Sequence, residues 1–114
     1  MNVLILSAGG PAGYGSIKSL RDINFNGKIV SIDGDELAVG FHMSDKYYVV
    51  PNVDDKDYIP QVLKIVDKEK IDLILPTGSD IEPISKNSHL FKGKLFMSDY
   101  ESIMDCTDKW RFYN

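Results

Sequence analysis

The chain of 114 residues has one cysteine and two histidines, and each scarcity removes a class of protein. Cys106 has no second thiol with which to close an internal disulfide, so the chain is not a disulfide-stapled secreted scaffold. With no His or Cys nearby, a packed thiol is expected there and not a nucleophile. His42 and His89 lie far apart, neither with a metal-ligand neighbour at useful spacing, so no metal site is expected. No apolar run approaches the roughly 18–20 residues that cross a bilayer. Basic side chains are outnumbered, 13 against 17 acidic, for a net charge of −4, which argues against nucleic-acid phosphates as a partner. Met1 leads directly into Val3-Leu4-Ile5-Leu6, with no basic segment or cleavage-site pattern. No signal peptide is expected, and a cytoplasmic location is.

What is present is one domain's worth of alternating pattern, long enough to bury a core unaided. Val3-Leu4-Ile5-Leu6 is a short unbroken apolar run closed by Ser7-Ala8-Gly9-Gly10, the signature of a strand buried on both faces. From Ser16 the period changes: Ile17, Leu20 and Ile23 are spaced for an amphipathic helix, with Asn26-Gly27 expected to end it. Lys28-Ile29-Val30-Ser31-Ile32-Asp33 reads as a second strand, and residues 36–43 as a short helix or turn. Tyr47-Tyr48-Val49-Val50 is a third strand stopped by Pro51. Asp54, Asp55 and Asp57 suit a solvated helix start. Ile59, Val62, Leu63 and Val66 then form the clearest helical stripe in the chain. Ile71-Asp72-Leu73-Ile74-Leu75 is a fourth strand, residues 80–91 a helix, and Lys94-Leu95-Phe96-Met97 a fifth strand. Strands alternating with helices predict an α/β fold: an open, Rossmann-like, parallel five-stranded sheet with helices on both faces.

Two loops carry the candidate chemistry. The first, between strand one and helix one, holds Gly9, Gly13 and Gly15 in a G-x-x-x-G-x-G spacing, and Asp33 ends strand two, 24 residues past Gly9. A Gly-rich turn here brings backbone N–H groups near an anion, and an acid at the end of strand two suits a ribose. One reading is therefore a nucleotide- or NAD(P)-binding module. The other is that these glycines only allow a tight turn and close helix packing. A dehydrogenase would also need a Tyr-x-x-x-Lys pair on a later helix; Tyr14 and Lys18 have that spacing beside the first loop, and Tyr58 has Val62 where the lysine belongs. The second loop, Pro76-Thr77-Gly78-Ser79-Asp80, follows strand four. Strands one and four are expected to flank the switch point where ligands bind in open α/β sheets. Ser79 and Asp80 also suit N-cap positions, and Glu82 the first turn.

These residues, taken together, resemble the carbamoyl-phosphate-synthase-like branch of the ATP-grasp enzymes. The resemblance is carried by the opening run from Val3 to Gly13, by Ser44-Asp45-Lys46-Tyr47-Tyr48-Val49-Val50-Pro51, by Asp72-Leu73-Ile74-Leu75-Pro76-Thr77-Gly78-Ser79-Asp80, and by Cys106-Thr107-Asp108-Lys109-Trp110. It implies a pre-ATP-grasp domain over residues 1–104, with residues 105–114 opening an ATP-grasp domain that the sequence does not contain. It further implies a parent ligase that uses ATP and Mg²⁺ to phosphorylate a carboxylate and lets an amine displace phosphate. Lys109 would contact the ATP phosphates in that parent, a role its compact ammonium suits. Gly9, Gly10, Gly13, Thr77, Ser79 and Asp80 would face the acceptor-substrate side of the cleft. The expected partners are that small carboxylate or amine substrate and the following ATP-grasp domain.

The departure from the family is large. No Gly-rich lid, adenine pocket or Mg²⁺-binding carboxylate pair is recognisable in the sequence. Phosphoryl transfer depends on positioning and on charge neutralisation by metal, so the 114-residue chain alone is expected to be inactive and to bind neither ATP nor Mg²⁺ tightly. Trp110 and Phe112 are large rings near the chain end; a third reading is a non-catalytic interaction domain, or a homo-oligomer, that covers them.

Overall fold

The computed structural model describes residues 1–78 and 80–91. Four strands, β1 (Asn2–Ile5), β2 (Lys28–Asp33), β3 (Lys46–Val49) and β4 (Leu73–Leu75), alternate with three helices, α1 (Pro11–Asp22), α2 (Tyr58–Lys68) and α3 (Ile81–Lys86). Short 3₁₀ turns cover Val39–Met43 and Ser88–Phe91. The strands form one parallel sheet in the order β3-β2-β1-β4. The α/β architecture expected from the alternation is therefore present, with four strands. The fifth expected strand, Lys94-Leu95-Phe96-Met97, lies outside the described residues, as does the tail at 105–114.

The unbroken apolar run of β1 is explained by burial on both faces. Val3 and Ile5 point into a cluster with Ile29, Ile17 of α1 and Phe41. Leu4 and Leu6 point the other way, into a larger cluster with Val30, Ile32, Ile74, the α2 residues Tyr58, Val62, Ile65 and Val66, and Ile84 of α3. Side chains alternate across a strand, so a strand covered by helices on both sides has no polar face to show. Each fully buried aliphatic side chain in these layers contributes roughly 1.5–3 kcal/mol.

The helix ends differ from the sequence expectation. α1 starts at Pro11 and not near Ser16, with Gly10 at its N-cap and proline in its first turn. Proline lacks an N–H that the first turn could not have paired anyway. Gly, Ala and Pro carry no apolar period, which hid this turn. The C-terminus is closed by Asn24 and not by Gly27. Asn24 takes φ 55°, its N–H donates to Arg21 O at 3.1 Å, and the Phe25 N–H donates to Leu20 O at 3.0 Å. This is a Schellman closure with asparagine in the left-handed position. α2 ends the same way around Lys70 at φ 54°, with Ile71 N–H donating to Val66 O at 3.0 Å. α3 is shorter than the expected 80–91 helix: it ends at Lys86, and the chain continues as a 3₁₀ turn.

At the amino ends of the strands sits the buried carboxylate of Glu69, 4% exposed. It accepts from Lys28 Nζ at 2.8 Å and Lys46 Nζ at 3.2 Å and from the Tyr48 hydroxyl. The Lys28 hydrogen bond, followed by that of Tyr48, pulls its carboxyl down to about 2. This network belongs to the pole opposite the loops that carry the candidate site.

Candidate functional site

Strands β1 and β4 are neighbours, so the chain reverses its direction of travel across the sheet between them. In open parallel sheets the carboxyl ends beside such a reversal form the usual ligand crevice. Here the two loops are tied together at Ser7. That residue has φ 56°, a left-handed turn that L side chains seldom adopt. Its hydroxyl donates to Asp80 Oδ2 at 2.9 Å. Asp80 Oδ1 accepts the N–H groups of Gly78 at 2.9 Å and Thr77 at 3.2 Å, and the Thr77 hydroxyl donates to Leu6 O at 2.5 Å. Asp80 is fully buried. Burial pushes its carboxyl above the usual range, opposed by the Gly78, Ser7 and Thr77 hydrogen bonds. It occupies the N-cap position of α3 but makes no side-chain cap hydrogen bond; its oxygens turn back to the loop instead.

Helix α1 enters this knot at close range. A Cβ on Gly13 would lie 2.1 Å from the Ser7 carbonyl oxygen, so only glycine lets the first turn of the helix approach the end of β1. That same carbonyl accepts the Gly10 N–H at 3.0 Å. Gly9 is held from the other side: its N–H donates to Asp33 Oδ2 at 2.7 Å. Asp33 Oδ1 accepts the Asp35 N–H at 2.9 Å. The carboxylate that ends β2 thus engages the loop amide that a dinucleotide phosphate would seek.

Gly9, Gly10, Gly13, Thr77 and Asp80 are therefore brought together around Ser7. Ser79 and Lys109 lie outside the described residues. Ser7 is also on the wall of a cleft of about 540 Å³ that opens one strand further along, at the carboxyl ends of β1, β2 and β3. Its polar wall carries Asp33, Asp35, Asn52, Asp54 and Tyr58, and its apolar wall Ile32, Val50 and Val53. Among the described residues no lysine, arginine or histidine lines it. Tyr58 is 2% exposed, and burial, then the charges of Asp80 and Asp33, push its phenol strongly upward. Sequence reading passed over Tyr58 as a residue without its lysine and treated Asp54 as part of a solvated helix start. The only local signal is position: both lie between the end of the third strand and the first turn of α2.

A family model described as the PylC-like, N-terminal domain matches residues 3–95. The chain belongs to this family. The PylC-like N-terminal domain is a pre-ATP-grasp domain of ATP-grasp ligases, in agreement with the resemblance carried by the loops after β1 and β4. No curated protein matches the chain significantly. The match runs from within β1 past the last described residue and includes the Ser7 knot and the acidic cleft.

The groups such ligases use can be tested against these side chains. Among the described residues no three His, Cys, Asp or Glu side chains are grouped to hold a metal ion. A cleft walled by three aspartates repels a triphosphate. The acidic cleft of the PylC-like domain therefore does not fit ATP phosphates. Among the described residues no helix is long and apolar enough to cross a membrane.

Proposed function

We propose that this PylC-like domain is the substrate-facing N-terminal part of an ATP-dependent carboxylate–amine ligase similar to carbamoyl-phosphate synthase large chains. The observation that carries the reading is the family match over residues 3–95. The parent works in the cytoplasm, where ATP is available, and binds ATP and Mg²⁺ through its ATP-grasp region. Lys109 contributes a contact to the ATP phosphates there. The domain contributes the acceptor side of the cleft, through the loops that hold Gly9, Gly10, Gly13, Thr77, Ser79 and Asp80, and is inactive by itself.

The Ser7 knot supports this division of labour. A wall of a substrate cleft has to be rigid, and Ser7, Thr77, Gly78 and Asp80 lock the two loops together through partly buried hydrogen bonds. The Gly9 N–H donates to Asp33, which favours this reading over a nicotinamide site. The test is ADP release. The 114-residue chain is expected to release none from MgATP, whereas the chain joined to an ATP-grasp region releases ADP only when both a carboxylate and an amine are supplied. In the joined protein, Lys109→Ala raises KM for ATP at least several-fold. ADP release by the 114-residue chain alone, or tight NADH binding by fluorescence, would overturn the reading.

A further inference from the structure

The cleft at the carboxyl ends of β1, β2 and β3 has a character of its own. Three aspartates, Asp33, Asp35 and Asp54, stand on its wall, and among the described residues no cationic side chain lines it to balance them. Asp33 and Asp35 are held by backbone N–H groups of Gly9, Asp35 and Leu37, which fixes their carboxylates without neutralising them. Asp54 accepts no hydrogen bond among the described residues. Tyr58 lies at the same wall, almost fully buried, and its hydroxyl has no hydrogen-bond partner among the described residues. The hydroxyl opens onto the cleft and is available to a molecule bound there.

We propose that this cleft binds the ammonium head of an aliphatic primary amine, with Asp33, Asp35 and Asp54 supplying the negative field and the Tyr58 hydroxyl accepting an N–H. The volume of about 540 Å³ falls within the range of small-molecule sites. Ile32, Val50 and Val53 give the methylene chain an apolar wall. A divalent metal is a poorer match, because the carboxylates are not grouped as ligands. An anionic ligand meets only repulsion. That the amine is a substrate of the ligation rests on the functional reading above; that the cleft takes an alkylammonium does not.

The test is titration of the ¹⁵N-labelled 114-residue chain with 1,4-diaminobutane, followed by amide shifts. The amides of Asn52, Asp54 and Tyr58 are expected to move together and saturate, and the equivalent titration with 1,4-butanediol leaves them in place. Asp54→Asn weakens the affinity about ten-fold, the effect of removing one charge-assisted contact. Tyr58→Phe weakens it at least three-fold. Asp22→Asn makes the same charge change on α1, away from the cleft, and leaves the affinity unchanged. Equal loss in Asp22→Asn and Asp54→Asn would reduce the effect to net charge and overturn the proposal. So would an equal response to butanediol, or displacement of the diamine by millimolar MgCl₂ acting on the same amides. If the diamine fails to bind but the joined protein releases ADP in an amine-dependent manner, the cleft assignment falls and the ligase reading stands. If the diamine binds and no ADP is formed, the ligase reading falls alone.

Discussion

The hydroxyl of Ser7, at the end of the first strand, donates to the buried carboxylate of Asp80, 73 residues later, at 2.9 Å. Asp80 thus joins the two loops at the point where the sheet reverses, and its other oxygen accepts Thr77 and Gly78. Asp80→Ala leaves two backbone N–H groups and a hydroxyl without their acceptor and is expected to destabilise the domain by about 2–4 kcal/mol. Asp80→Asn keeps the shape: its carbonyl oxygen serves the two N–H groups and its amide donates to Ser7, so the loss stays under about 1 kcal/mol. Urea denaturation of the two variants checks this; equal losses would mean that the charge, and not the hydrogen-bond pattern, holds the knot.

Gly13 answers to packing. With a Cβ position 2.1 Å from the Ser7 carbonyl oxygen, Gly13→Ala has to move α1 away from β1. A cost of about 1–3 kcal/mol is expected from this overpacking, despite alanine's better helix propensity. Gly15, whose Cβ position meets open space, is the control: Gly15→Ala should stabilise by up to about 1 kcal/mol. Thermal denaturation distinguishes the two signs.

Glu69 controls the acid limb of stability. Its carboxyl is pulled from 4.5 in a free chain to about 2 in the fold by Lys28, Tyr48 and Lys46. The folded state therefore binds fewer protons than the unfolded state between those values, and stability rises with pH there. The contribution is complete above about pH 4.5 and is lost as pH falls toward 2. Glu69→Gln is expected to cost about 1–2 kcal/mol at pH 7, because Lys28 and Lys46 are partly exposed and stay solvated. The variant and parent curves converge near pH 2 in urea melts collected across the acid range.

Lys70 holds the left-handed closing position of α2 at φ 54°, where a Cβ is strained. Lys70→Gly is expected to stabilise by about 1 kcal/mol. Asn24→Gly, at φ 55° in the same role on α1, should gain less, because asparagine tolerates that region. Identical gains at both sites would show that the side chain is irrelevant there.

The elements were largely legible in the sequence. The unbroken Val3-Leu4-Ile5-Leu6 run announced a strand buried on both faces, and the stripe through Val62 and Val66 announced α2. What failed were the ends without periodicity. The Gly-Pro-Ala start of α1 carries no apolar rhythm, and a conspicuous Gly27 drew the helix end away from Asn24. Asp80 takes the expected N-cap position of α3, but its carboxylate does not cap the helix. Its local preference was outcompeted by donors at Ser7, Thr77 and Gly78, which the fold brings to it.

By itself, then, the sequence determined the alternation of strands and helices, the two-sided sheet and membership in the family. Burial period and loop spacing are local properties, written within a few residues of one another. Only the tertiary structure decided which polar groups meet. Asp33 closes on Gly9, Ser7 on Asp80, and Asp54 comes to share a cleft with Tyr58 and Asp33, because parallel crossovers carry distant strand ends to one edge of the sheet. A carboxylate in a sequence has no fixed partner; the fold selects it by distance and by exclusion of water.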